Sequence, residues 1–256
     1  MVRRLAECAT GVSISRIRIL REGVAEPLLT RRGRGQVSGY SRRAKNVLLH
    51  LAHDWTIRIQ LGMTGHVYWI PDARTRPSHT RVLFVLGGDA GAIAFQDPRV
   101  FGSVEIHPTA ALPTVFAAYG PEPLDPAFTW RDLAATAERR SGPIKPFLLD
   151  QSRVVGLGNI WAAEALFRAG ILPWRAVNTL TNGEWQKLHR AIRRVLSQAI
   201  ARTFRVTKGP EEFPEADLLA AAVYGREGEP CRKCRTPILR RTQAARSTFF
   251  CTACQH

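Results

Sequence analysis

The sequence predicts an α+β protein: an N-terminal antiparallel β-sandwich, a C-terminal helical domain, and a small cysteine-based hairpin at the end. Three observations carry that reading. Short apolar runs separated by turn residues fill the first 110 residues. Helical periodicity takes over after residue 129. Two Cys-x2-Cys pairs lie near the C-terminus.

Residues 47–51, 56–59, 66–70, 82–86 and 92–95 are the β-rich runs, punctuated by Gly, Asp and Pro as in a sandwich or barrel. A short helix around residues 2–9 is expected before them, and 1–110 is set as the β-sandwich domain. The stretch from Pro108 to Pro126 is rich in proline, so a linker is placed at 111–128. The helical domain is set at 129–222. Within it, residues 185–196 repeat apolar positions at three and four, the mark of an amphipathic helix. Residues 206–222 carry Gly, Pro and acidic side chains and are expected to form a loop. The cysteine module occupies 223–256.

Charge narrows the function. Lys and Arg number 37 against 21 Asp and Glu, a net +16 at pH 7. Such an excess repels itself and points to a polyanionic partner, nucleic acid first. A protein that is basic only because its source favours arginine is the plainer alternative. No run of about 18 apolar residues occurs, so no membrane span is expected. The first residues lack a long apolar stretch, so no signal peptide is expected. A reducing cytoplasm fits four cysteines in a metal pattern plus one over better than a disulfide framework does.

Cys231 and Cys234 are followed, after sixteen residues, by Cys251 and Cys254. Each Cys-x2-Cys puts two sulfurs on one tight turn, and two such turns complete a tetrahedral thiolate site. Four thiolates leave no open position, so one structural Zn2+ is expected. Two redox dithiols are the alternative. A segment this short cannot bury a sufficient core by itself, so its folding should depend on the ion. Residues 235–250 between the pairs suit a β-hairpin bearing Arg240, Arg241 and Arg246, apt for phosphate contact. A solvated basic surface is the bland reading. Cys8, the fifth cysteine, is expected to be buried on the first helix.

Upstream, Lys145 to Gln151 leads into Val154-Val155-Gly156-Leu157-Gly158-Asn159. This reads as a helix end, a glycine turn, and a second helix beginning near Asn159. Backbone amides at such a turn can hold a phosphate.

From about residue 2 to the C-terminus, the chain resembles the formamidopyrimidine-DNA glycosylase/endonuclease VIII family of bifunctional DNA glycosylase/AP lyases. Residues 145–175 are similar to its helix–two-turns–helix motif. Residues 223–231 and 246–251 are similar to its zinc-finger signature. Leu61-Gly62-Met63-Thr64-Gly65 and Asp97-Pro98-Arg99-Val100-Phe101-Gly102 are similar to its two lesion-probing loops, and Gly120-Pro121-Glu122-Pro123-Leu124 to its interdomain segment. The resemblance implies that Lys145 and Asn159 contact the phosphates flanking a lesion and that Arg246 clamps the same backbone. Met63, Arg99 and Phe101 would fill the gap left by a flipped nucleotide and take over the stacking it gives up. Core packing is the alternative for Met63 and Phe101. Lys45 matches a lysine that sits near the lesion phosphate and assists the chemistry. Val100 and Gln60 depart from the family, which usually has arginine and often histidine there.

The family's nucleophile is an N-terminal proline amine, with a glutamate beside it. Met1-Val2-Arg3-Arg4-Leu5-Ala6-Glu7 resembles the inside of the helix that follows, so the sequence is expected to lack the catalytic Pro-Glu segment. An attacking amine must be unprotonated and close to the reacting carbon. Glu7 is a poor substitute for the missing acid. Either the native start lies upstream, or the protein binds without cutting, or another amine such as Lys45 serves.

The resemblance thus implies base-excision repair of oxidised bases, oxidised purines first and oxidised pyrimidines second, by a bacterial, cytoplasmic, nucleoid-associated monomer on double-stranded damaged DNA. A non-catalytic lesion or abasic-site binder is the alternative. A zinc-ribbon transcription or ribosome-associated factor shares the charge and the cysteines, but not the glycine turn and probe loops.

Overall fold

The computed structural model describes residues 1–206 and 221–256. Most of the loop expected at 206–222, with Lys208, Glu211 and Glu212, lies outside the described residues. The chain divides into two compact units, Met1–Ala117 and the residues from Ala118 onward.

In the first unit, α1 (Val2–Ala9) turns Leu5 and Ala9 inward, four residues apart on one face. Cys8 lies about a hundred degrees away from Ala9 around the helix and is exposed, not buried as its residue type suggested. The strands are β1 (Ser13–Ile19), β2 (Gly35–Arg43), β3 (Asn46–Leu51), β4 (Trp55–Gln60), β5 (His66–Ile70), β6 (Thr80–Leu86), β7 (Ala92–Gln96) and β8 (Ser103–Pro108), with α2 (Leu28–Arg32) between β1 and β2. They hydrogen-bond in the order β5-β7-β6-β1-β2-β3-β4-β8, antiparallel throughout.

The two halves of that sheet join where Ser13 and Ile14 pair with Gln36 and Gly35, extended by the Gly11 N–H donating to Val37 O and the Val37 N–H donating to Val12 O. Both strands at this seam carry a register shift, in β1 after Ile14 and in β2 after Val37, which bends them. One core serves both halves: Val67, Phe84, Ile93 and Phe95 from one, and Val37, Leu49, Ile57, Ile59 and Ile106 from the other. That is the sandwich predicted from short apolar runs punctuated by turn residues. Strands β1, β2 and β8 were not among the predicted runs. None of the three holds a continuous apolar run: β1 and β8 intersperse Ile or Val with Ser, Arg, Glu and His, and β2 has only Val37 fully buried.

The second unit is mostly helical. After a short turn of helix, α3 (Leu112–Val115), at the close of the first unit come α4 (Trp130–Ala135), α5 (Ile144–Leu149), α6 (Asn159–Ala169) and α7 (Asn182–Val206). Thr129 and Asp132 form a reciprocal cap at the start of α4. Thr181 and Glu184 exchange the same bonds ahead of α7. Gly170, at φ 76, ends α6 in the left-handed conformation that glycine adopts without strain. Leu133, Leu148, Leu157, Leu166, Leu188 and Ile192 pack the core. The chain closes on the hairpin β9 (Leu239–Gln243) and β10 (Arg246–Phe250). Its two-residue turn, Ala244-Ala245, has φ 48 and 57, the paired positive angles of a type I′ turn. Among the described residues, no helix is long and apolar enough to cross a membrane.

Candidate nucleic-acid interface and metal centre

The four cysteine sulfurs lie within 4.8 Å of one another. Cys231 and Cys254 are 3.9 Å apart, and Cys234 and Cys251 3.4 Å. Tetrahedral sulfurs at the usual zinc distance of about 2.3 Å would be separated by roughly 3.8 Å, so the cluster fits one zinc ion. Each pair is a tight turn. Arg235 donates its N–H to Cys231 O, Gln255 donates to Cys251 O, and Lys233 N–H reaches Cys231 Sγ at 3.4 Å. Phe167 of α6, Val223, Ile238 and Phe249 pack beside the cysteines. The module therefore leans on the helix as well as on its ion.

Three predicted contact residues come together where α5, the start of α6 and the hairpin meet. Lys145 is 1% exposed. Its Nζ donates to Ser247 O at 3.1 Å and to Thr248 Oγ1 at 2.6 Å. Burial, and after it the nearby Arg246 guanidinium, push its pKa down to about 8. Asn159 Nδ2 donates to the same Ser247 carbonyl at 3.0 Å and reaches Tyr224 Oη at 3.4 Å. Its buried Oδ1 has no partner among the described residues. Arg246 is the first residue after the hairpin turn and is exposed. The arrangement is a compact basic group of one lysine, one arginine and one amide, set at a helix start where backbone N–H groups attract anions.

Three further residues build this group, and only their neighbours were singled out from the sequence. Gln151 holds the glycine turn, accepting from Gly156 N–H at 2.8 Å while donating to Leu149 O and Leu157 O. Glu164, 2% exposed, accepts backbone N–H bonds from Ala222, Val223 and Tyr224. Tyr224 packs its ring edge-on against Phe249, 4.9 Å between centroids. A lone acid inside Ala162-Ala163-Glu164-Ala165-Leu166 was the available signal for Glu164.

In the first unit, Met63 is 74% exposed and Phe101 54%, so neither is core. Their loops pack backbone to backbone. Gly62 has φ 58, and a Cβ there would sit 2.7 Å from Phe101 carbonyl carbon. Asp97, fully buried, joins the loops by accepting from Thr64 Oγ1 and from Gly102 N–H. Burial alone would raise its pKa. Hydrogen bonds from Thr64 and from the Gly102, Phe101 and Arg99 backbone outweigh that and hold the carboxyl below its usual range. Arg99 sets its guanidinium 4.7 Å from the Phe101 ring centroid. Val100 between them has φ 58, a strained angle for a β-branched residue of the sort that collects at binding sites. Lys45 is exposed on the β2–β3 turn, and its carbonyl accepts from Leu61 N–H at 3.1 Å.

Comparison with known proteins bears on this pattern of loops, turn and cysteines. Three family models match in order: the formamidopyrimidine-DNA glycosylase N-terminal domain over residues 1–104, its H2TH domain over 119–208, and the zinc finger found in FPG and IleRS over 228–256. A formamidopyrimidine-DNA glycosylase of Sodalis glossinidius is 40% identical over 240 residues, covering 93% of this chain and 88% of its own. The chain belongs to the formamidopyrimidine-DNA glycosylase family.

A second relative in that family, from Chloroflexus aggregans, is 41% identical over 227 residues, covering 86% and 81% of the two chains. Among solved structures, the MutM (Fpg) protein of Thermus thermophilus superposes with a TM-score of 0.86 at 33% identity, covering 99% of this chain and 95% of that one. A Lactococcus lactis Fpg mutant in complex with Fapy-dG-containing DNA gives a TM-score of 0.90 at 27% identity, covering 100% and 96%. The L. lactis protein with abasic-site DNA gives 0.87 at 27%, with the same coverage. The family's zinc finger and the sulfur geometry agree on one zinc ion held by Cys231, Cys234, Cys251 and Cys254.

Proposed function

We propose that the chain is a base-excision-repair DNA glycosylase with AP lyase activity, acting on oxidised bases in duplex DNA as a monomer in the bacterial cytoplasm, at the nucleoid. The observation that carries this reading is the pair of exposed side chains Met63 and Phe101 on loops locked together by a buried Asp97. Exposed apolar side chains on rigid loops are what extrusion of a nucleotide needs, because a wedge must replace stacking worth a few kcal/mol. Arg99 supplies a cation beside that wedge. Lys145, Asn159 and Arg246 supply phosphate contacts in the second unit, and Lys45 contacts the lesion phosphate in the first.

Base excision with strand cleavage proceeds by attack of an unprotonated amine on C1′, loss of the base, and elimination through the resulting Schiff base. Lys45 is assigned an auxiliary part in it. Oxidised purines are the lead substrate class, supported by the Fapy-dG complex of the L. lactis relative. Oxidised pyrimidines are the second, since that relative is also described with oxidised-pyrimidine DNA. The working division is 1–110 for lesion probing, 111–128 for linkage, 129–222 for the helical grip and 223–256 for the zinc module.

The test is to incubate the chain with a labelled abasic-site duplex and add borohydride. A covalent adduct with borohydride, together with strand cleavage in a parallel reaction without it, supports the lyase. Selective binding of the abasic duplex without adduct supports a lesion binder instead. Equal binding of damaged and intact duplex at matched salt would sink both, because charge alone gives unselective affinity.

A further inference from the structure

The Lys45 turn and the two loops that carry Met63 and Phe101 leave the sheet at one end. Lys45 lies on the β2–β3 turn, Gln60 ends β4 just before Gly62 and Met63, and Ser103 begins β8 just after Phe101 and Gly102. Because β3, β4 and β8 are consecutive neighbours, their side chains meet in rows. Asn46 stands opposite Gln60, Gln60 opposite Ser103, and Arg58 opposite Glu105.

A polar network fills that end. Arg58 Nε donates to Asn46 Oδ1 at 2.9 Å, and Arg58 Nη1 donates to Glu105 Oε2 at 3.0 Å. Ser103 Oγ donates to Glu105 Oε1 at 3.1 Å, and His107 Nε2 lies 3.0 Å from Glu105 Oε2. The guanidinium also sits 5.3 Å from the ring centroid of Phe116. Asn46 is 1% exposed, and its Nδ2 donates to Arg43 O at 2.9 Å, spanning Ala44 and Lys45. Ala44 is left-handed at φ 52, an angle alanine holds only when its surroundings impose it. Arg42 Nη1 on Ala44 O, at 2.8 Å, adds to that restraint.

Arg58 is poorly suited to touch DNA itself. Its charge is matched by Glu105, whose carboxylate lies 3.0 Å from Nη1. Its evident work is to orient the Asn46 amide, which closes the turn bearing Lys45. We propose that Arg58, anchored by Glu105, is a positioning residue that fixes the Lys45 turn through Asn46. The proposal rests on the reading of Lys45 as a contact to the lesion phosphate. Holding that turn before DNA arrives removes an ordering cost from binding and keeps the ammonium aimed.

The test measures binding of the full chain to a duplex with a tetrahydrofuran abasic analogue and to the intact duplex, across a salt series. Lys45→Ala is expected to weaken abasic-site binding about tenfold and to reduce the salt slope by about one. Arg58→Met should reproduce most of that loss, and the double variant should bind no more weakly than Lys45→Ala alone. Glu105→Gln separates geometry from charge. It makes the protein more basic, so simple electrostatics predicts tighter binding to both duplexes, whereas positioning predicts a smaller preference for the abasic site. Additive losses from Arg58→Met and Lys45→Ala, or tighter binding to both duplexes by Glu105→Gln, would overturn the proposal. If Lys45→Ala binds normally, the assignment of Lys45 falls and the proposal with it. If Lys45→Ala weakens binding while Arg58→Met and Glu105→Gln do not, only the positioning role falls. Thermal unfolding is followed for each variant, and Arg58→Lys, which keeps the charge but not the fork, replaces Arg58→Met if that one fails to fold.

Discussion

Lys145 places its ammonium 2.6 Å from the hydroxyl of Thr248, 103 residues further along the chain. The same ammonium holds the Ser247 carbonyl, which Asn159 also holds. One buried lysine therefore ties the start of the helical motif to the strand that begins with Arg246. Because it is buried beside that arginine, it gives up its proton near pH 8 rather than at the usual lysine value.

DNA affinity should consequently fall as pH rises through about 8, at fixed salt. The sign for stability is the opposite. Between the folded pKa and the higher unfolded one, the unfolded chain binds more protons, so Lys145 favours folding more as pH rises through that window. Abasic-site binding followed from pH 7 to 9.5 should thus weaken without loss of fold. Lys145→Met should bind more weakly at pH 7 and show a flatter profile. An unchanged profile in that variant would assign the pH dependence elsewhere.

Removing zinc should undo the same group from the other side. The ion fixes Cys251, one residue beyond β10, which carries Arg246, Ser247 and Thr248. A strong chelator is expected to strip one zinc per chain, unfold residues 223–256 and reduce abasic-site preference toward unselective binding, with the helical core intact. Metal analysis, circular dichroism and competition binding report the three parts. Full abasic-site preference in the metal-free chain would separate the zinc module from lesion binding.

Legibility in the sequence followed contrast. Strands β3 to β7 were visible because each carries a short apolar run bounded by turn residues, whereas β2 reads Gly-Gln-Val-Ser-Gly-Tyr-Ser-Arg-Arg and offers one fully buried apolar position. The cysteines announced their site by spacing alone. Met63, Phe101 and Lys145 became candidates through family resemblance, since nothing local separates an exposed Met63 from a core methionine. Arg58, Asn46 and Glu105 were invisible for a different reason. Their meaning lies in cross-strand register, and a pairing of Arg58 with Glu105 across 47 residues has no signature along the chain.

The two probe loops should fail together when Asp97 is changed. Its carboxylate accepts from Thr64 on one loop and from Gly102 on the other. Asp97→Asn replaces an acceptor with a donor facing donors, and a cost of about 2–3 kcal/mol is expected for charged, buried bonds of this kind. The folded pKa is depressed, so this stabilisation is present above the unfolded value and is lost as pH falls through the folded one. Acid unfolding of the wild type should show that loss, and Asp97→Asn should abolish it. Met63→Ala, by contrast, should leave stability unchanged and weaken lesion preference by about tenfold, or 1.4 kcal/mol. Equal melting temperatures for Asp97→Asn and wild type would remove the carboxylate from this role.

Glu164 offers a parallel case in the second unit. Its carboxylate is 2% exposed and gathers the N–H groups of Ala222, Val223 and Tyr224. Those bonds set Tyr224, whose hydroxyl lies 3.4 Å from Asn159 Nδ2 and whose ring meets Phe249. Glu164→Gln keeps the volume but turns one acceptor into a donor facing N–H groups, so destabilisation of about 2–4 kcal/mol is expected. Tyr224 and Asn159 should loosen with it, and abasic-site affinity should fall even at temperatures where the variant is fully folded. Tyr224→Phe supplies the control: it removes only the hydroxyl contact and should lower affinity with little change in melting temperature. If Glu164→Gln melts earlier yet binds abasic DNA as wild type does when folded, the carboxylate serves stability alone, and the path from Glu164 through Tyr224 to Asn159 carries no part of recognition.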